Sequence, residues 1–159
     1  MDMYDIFLSH KQVDAQDLVK SIKEHFARPQ LVLPALNCFL DRDYRGELSN
    51  LVDIVGRSRT FLFVLSTQIL ESPWCMLELL SAVIQNVPII LLRMEGHSMG
   101  DIGFPSKFED MGFPKATELK SINAIPHSRT YFGACMKEQV IPRLIDHRKM
   151  WKAKMRPRP

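Results

Sequence analysis

Short apolar runs alternate along the chain with segments whose apolar residues recur every three or four positions. Tyr4-Asp-Ile-Phe-Leu8 reads as a buried strand, with Ser9-His10-Lys11-Gln12 as the loop at its carboxyl end. Leu18, Ile22 and Phe26 fall on one face of an amphipathic helix; Asp14 is its predicted cap, Asp17 follows at the capping-box position, and Pro29 ends it. Asn37 to Leu40 is a second short strand, closed by the polar loop Asp41 to Gly46, whose glycine is suited to a left-handed turn. Leu48, Leu51, Val52 and Val55 predict a short helix ending near Gly56. Thr60 to Leu65 is apolar on both faces, as a strand in the middle of a covered parallel sheet requires. Ser72 and Pro73 then open a helix, serine as N-cap and proline in the first turn, where its missing N–H leaves nothing unsatisfied. Val87 to Leu92 is a fourth strand with its proline at the entry.

Periodicity weakens from Arg93 to about Ser121, which reads as loops with one or two short helical turns. A short fifth strand is predicted within Ile122 to Ile125. Phe132, Met136, Val140 and Leu144 then predict a helix over Tyr131 to Ile145, with Pro142 as a kink or break. This alternation implies an α/β fold: a doubly wound parallel five-stranded sheet with helices on both faces. Ligands of such sheets bind beyond the carboxyl ends of the strands, where the strand order reverses. Those ends carry Ser9 to Gln12, Asp41 to Gly46, and Ser66-Thr67.

One charge is out of keeping with its surroundings. Glu78 sits among Trp74, Leu77, Leu79, Leu80 and Val83 on the helix opened by Ser72. Either it points to water, or it lies in a cleft and is used. Trp74 and Glu78, at i and i+4, share a face one turn apart, and Ser81 and Gln85 continue that more polar side.

Composition narrows the readings. The 159 residues suit one domain with a sizeable core. Net charge is +3, but six of the 21 basic residues lie in Arg148 to Pro159, so the body is near neutral or slightly acidic. That argues against nucleic acid as a partner. The domain is assigned to residues 1–147, with 148–159 a basic tail or linker. Cys38, Cys75 and Cys135 are widely spaced, make no metal-ligand pattern, and fit free thiols in a reducing compartment. With no targeting lead and no apolar run near 18 residues, the sequence implies a cytoplasmic protein without a membrane segment.

Familiar uses of such a sheet fail on the residues. The loop after the first strand lacks the glycines of a dinucleotide fingerprint, and neither a GK[ST] phosphate loop nor a Gly-x-Ser-x-Gly elbow is present. Ser9-His10 and Ser66 stand where a phospho-receiver would place carboxylates.

Four boxes in register carry a resemblance. Tyr4-Asp-Ile-Phe-Leu-Ser9 resembles the first box of the TIR (Toll/interleukin-1 receptor) domain family, and Phe39-Leu-Asp-Arg-Asp-Tyr-Arg-Gly46 its second box and BB loop. Ser58 to Ser66 and Ser72-Pro-Trp-Cys-Met-Leu-Glu-Leu79 resemble the plant-type and NAD-cleaving members. The Phe-Trp third box of the animal receptors is not recognisable; Arg129-Thr-Tyr-Phe132 lies near its expected place.

The resemblance implies a flavodoxin-like TIR fold and two classes of function. The first is an NAD+ glycohydrolase that releases nicotinamide and gives ADP-ribose or a cyclic isomer, in immune or cell-death signalling. The second is a non-catalytic module acting through TIR–TIR contacts. A third reading, production of nucleotide-derived messengers from RNA or DNA, resembles a side activity of plant-type relatives.

For the first class, the resemblance makes Glu78 the catalytic carboxylate and Trp74 a pocket wall. Ser9, His10, Lys11 and Phe39 become substrate contacts, and Asp41, Arg42, Asp43, Tyr44, Arg45 and Gly46 interface or gating residues. It implies no metal and no cofactor, with NAD+ as substrate, and self-association or contact with other TIR proteins to complete the site.

Overall fold

The computed structural model describes residues 3–40 and 47–155. Five strands form one sheet in the order β2-β1-β3-β4-β5, every neighbouring pair parallel: β1 (Tyr4–Ser9), β2 (Cys38–Leu40), β3 (Ser58–Leu65), β4 (Ile89–Arg93) and β5 (Ile125–Pro126). The order reverses between β1 and β3, since the chain leaves β1 toward β2 and leaves β3 toward β4. That is the switch point of a doubly wound sheet.

The pleat sends alternate side chains to two separate cores. Ile6, Leu8, Leu62, Val64, Ile90 and Leu92 face one layer, built by α1 (Gln12–Phe26) and by Met136, Val140 and Leu144 of the C-terminal helical segment. Phe7, Phe61, Phe63, Leu65 and Leu91 face the other, built by α2 (Leu48–Gly56) and α3 (Pro73–Ile84). The ring of Phe61 stacks on those of Phe7 and Phe63 at 5.4 and 6.0 Å between centroids, and Phe39 stacks on Phe7 at 5.2 Å.

Several boundaries differ from the sequence reading, each for a local reason. α1 begins at Gln12, not after Asp14, because Lys11 takes the extended cap conformation and its carbonyl receives the N–H groups of Asp14 and Ala15. Asp14 instead lies in the first turn, where a carboxylate favours the helix dipole. The weakly periodic stretch holds three short helices, α4 (Met99–Ile102), α5 (Ser106–Asp110) and α6 (Ala116–Ser121). Ile122 caps α6 through its N–H to Leu119, so β5 begins only at Ile125, the last residue of the predicted span, and runs to Pro126. β4 begins at Ile89, after the Pro88 carbonyl has accepted the Phe61 N–H.

The last helical segment runs as α7 (Phe132–Cys135), a π-helical turn (Met136–Val140) and α8 (Ile141–Met155). Pro142 has no N–H to give to residue 138 and its ring would crowd that carbonyl. The wider turn directly before it accommodates both. α8 continues through Arg148 to Met155, and Arg148 lies 3.6 Å from Asp5, which also pairs with Arg59 at 3.3 Å.

On α8, His147 Nδ1 lies 2.9 Å from Thr60 Oγ1 on β3. Burial, against a smaller opposing pull from Asp146, holds the His147 imidazole down at about 4. As pH falls below about 6.5 the unfolded chain binds this proton while the folded chain does not. Stability from this residue is therefore complete above 6.5, declines as pH falls toward 4, and changes no further below it. Urea midpoints at pH 7.5 and pH 4.5 are expected to differ less in His147→Gln than in the wild type; equal differences would remove His147 from the account.

Candidate active site

The candidate site is built by alternation in β1 and by the cap of α3. Ile6 and Leu8 face the α1 layer, so Ser9 falls with Phe7 on the α3 side. Ser72 starts α3 by accepting the Cys75 N–H on its side chain at 3.3 Å, with Pro73 in the first turn. This start fixes the helix rotation. Cys75, Glu78, Leu79 and Ala82 point inward, and the Cys75 thiol lies 3.3 Å from the carbonyl of His10. The first turn of α3 is thereby pinned to the carboxyl end of β1.

Glu78 consequently faces neither bulk water nor an open cleft. It is 1% exposed, and Ser9 Oγ donates to its Oε1 at 2.9 Å across 69 residues of sequence. A carboxylate that is almost wholly dehydrated needs compensation, and its burial at a strand end makes it a candidate functional group. Trp74, one turn earlier, is 39% exposed and stands at the surface beside it.

The other predicted contacts take varied positions. His10 is buried behind Ser9 at the strand end. Lys11 is half-buried and donates from Nζ to Gln68 Oε1 at 3.1 Å, across the switch point. Phe39 lies on the edge strand in the aromatic stack with Phe7 and Tyr4, partly exposed. The structure thus gathers Ser9, His10, Lys11, Trp74 and Glu78 around the end of β1 and sets Phe39 one strand away. Asp41, Arg42, Asp43, Tyr44, Arg45 and Gly46 lie outside the described residues. Ser81 and Gln85 do not continue the site: Gln85 Nε2 reaches Ser81 Oγ at 2.8 Å and the Val52 carbonyl at 3.0 Å, tying α3 to α2.

One residue at this edge, His97, has no signal in the sequence pattern. The Thr67 N–H donates to His97 Nδ1 at 2.9 Å, so the loop after β4 is fastened to the turn after β3. His97 lies in an aperiodic stretch, and only the fold brings it to Thr67.

A cleft of about 680 Å³ lies elsewhere, on the α1 side of the sheet, between Asp14, Asp17, Met94, Glu95, Arg129 and Phe132. It includes none of the residues around Glu78. The chemistry of the carboxylate and the volume of this cleft are separate features, and the carboxylate with its hydroxyl partner is the better guide to a reaction.

The Cys38 and Cys135 thiols are held protonated by burial rather than activated as nucleophiles. Burial pushes Cys38 up to about 12 and raises Cys135 as well. Among the described residues no helix is long and apolar enough to cross a membrane.

Comparison with known proteins gives the chain a context. The family model described as TIR domain matches residues 6–121. Among solved structures, the chain is similar to the TIR domains of the activated Roq1 resistosome that directly recognises the pathogen effector XopQ. That match has a TM-score of 0.64 and 20% identity, over 87% of this chain and 98% of the other. A metazoan TIR-STING receptor from C. gigas, in complex with 2',3'-cGAMP, is similar at a TM-score of 0.58 and 18% identity. That match covers 91% of this chain but 39% of the receptor. No curated sequence matches.

Proposed function

We propose, on the premise that this chain belongs to the TIR domain family, that it cleaves the nicotinamide–ribose bond of NAD+, with Glu78 as the catalytic carboxylate. The observation that carries the reading is the buried Glu78 carboxylate bonded to Ser9 at the carboxyl end of β1, next to the switch point. Nicotinamide in NAD+ is already a cationic leaving group, so the reaction needs no general acid of the kind glycosidases use on a neutral oxygen. It needs negative charge near the ribose as the bond breaks. A single carboxylate in a dry site supplies that, binding the ribose hydroxyls and stabilising the oxocarbenium-like charge. Trp74 bounds the nicotinamide side with an apolar wall. Water then captures the ribosyl carbon to give ADP-ribose, or an adenine nitrogen captures it to give a cyclic isomer.

Glu78 is too buried in the single chain to touch a ribose until the strand-end residues move. Self-association is the proposed trigger, within an immune or cell-death type of signalling. Nicotinamide release per mole of protein is accordingly expected to rise with protein concentration at fixed NAD+. A rate that stays at the uncatalysed background throughout, in samples shown to self-associate, would contradict the assignment.

The same burial favours a second reading, in which Glu78 is a structural carboxylate and the domain acts only through TIR–TIR contacts. Self-association without any nicotinamide release would select it.

A further inference from the structure

The loop after β4 brings His97 to the carboxyl edge and holds it from two sides. Thr67 donates its backbone N–H to His97 Nδ1 at 2.9 Å, and Thr67 Oγ1 lies 2.8 Å from the same nitrogen. The Arg93 guanidinium donates to the His97 carbonyl at 3.2 Å. A backbone donor aimed at Nδ1 makes that nitrogen the acceptor and leaves Nε2 as the side of the ring that can donate. Nε2 faces away from Thr67, the residue is half-buried, and no hydrogen bond from Nε2 is found among the described residues. The result is an N–H donor held in place, with no protein acceptor among the described residues.

Lys11 stands on the other side of the same turn. Its ammonium donates to Gln68, the neighbour of Thr67, from the end of β1. β1, β3 and β4 are consecutive in the sheet, and adjacent strands lie about 4.8 Å apart. An ammonium and an imidazole N–H therefore flank the Thr67–Gln68 turn, roughly 10 Å from each other by strand spacing. Ser9 and Glu78 lie on the α3 side of the same edge. An ammonium with a fixed N–H donor suits phosphate oxygens: the first supplies charge, the second direction.

We propose that His97 is a substrate-positioning residue that, together with Lys11, receives the pyrophosphate of a dinucleotide whose nicotinamide ribose lies at Glu78. The inference rests on the reading of the Glu78 site given above. It adds the place where the substrate's phosphates are held and a residue outside the family boxes that holds them.

Two near-isosteric variants separate this role from mere fastening of the loop. His97→Asn keeps an acceptor near the Nδ1 position for Thr67 but has nothing at Nε2. His97→Gln places an amide N–H near Nε2 and lacks the Nδ1 acceptor. Titration of ADP-ribose into the purified protein by calorimetry, with nicotinamide release measured on the same samples, reads both. His97→Asn is expected to weaken ADP-ribose binding about 10-fold or more, the order expected for one hydrogen bond to a charged group. KM for NAD+ should rise in step with kcat little changed, while His97→Gln stays near the wild type and adenosine affinity is unaltered in both. Wild-type behaviour of His97→Asn, equal losses in both variants, or no ADP-ribose binding by the wild type would overturn the proposal. Binding of ADP-ribose that depends on His97, without nicotinamide release, would uphold it and count against catalysis by Glu78. Release that is indifferent to His97→Asn would do the reverse.

Discussion

Glu78→Gln is expected to lower nicotinamide release by about 10²- to 10³-fold, the range seen when one preorganised electrostatic stabiliser is removed from a site. The exchange keeps shape and volume and leaves an acceptor for the Ser9 hydroxyl, so it removes charge and little else. The variant is expected to fold and self-associate as the wild type does, because the dehydrated side chain, at 1% exposure, is exchanged for one of the same shape. A variant that loses activity together with its fold would instead mark Glu78 as part of the structural framework.

Phe63→Ala is expected to have the largest effect on stability, about 3–5 kcal/mol, the usual loss when a buried phenyl ring is deleted. Phe63 is fully buried in the central strand β3, its ring stacks on Phe61, and its backbone is in register with Ser9. The cavity would open on the α3 side of the sheet, directly beside the residue that holds Glu78. Since a domain of this kind has only about 5–15 kcal/mol of total stability, the loss is a large fraction of it. Urea unfolding measures the effect; a loss below about 1 kcal/mol would show that the neighbouring rings close over the gap.

The sequence carried the order of strands and helices because each element has its own period. Thr60 to Leu65 is apolar on both faces for the reason inferred, burial between two helical layers. The start of α3 was legible to the residue, since Ser72 and Pro73 act through local geometry. The environment of Glu78 was not. A spacing of four groups Trp74 with Glu78 on one side of the helix, yet the structure buries one and leaves the other 39% exposed. The boundary between those fates is set by how the first turn of α3 seats on β1, which is a tertiary contact. The π-turn before Pro142 was legible only as an interruption, because proline states that a bond is missing but not how the chain absorbs it. His97 gave no sign at all. Its partner Thr67 lies 30 residues away, and the intervening β4 must first be placed beside β3.

The proposed reaction requires Glu78 to meet the ribose that carries nicotinamide. A structure of the self-associated protein with a non-cleavable NAD+ analogue tests it most directly. The expected result is a Glu78 carboxylate oxygen within about 3 Å of a hydroxyl of that ribose, a hydrogen-bond distance. An analogue bound elsewhere, with Glu78 still enclosed and bonded to Ser9, would contradict it.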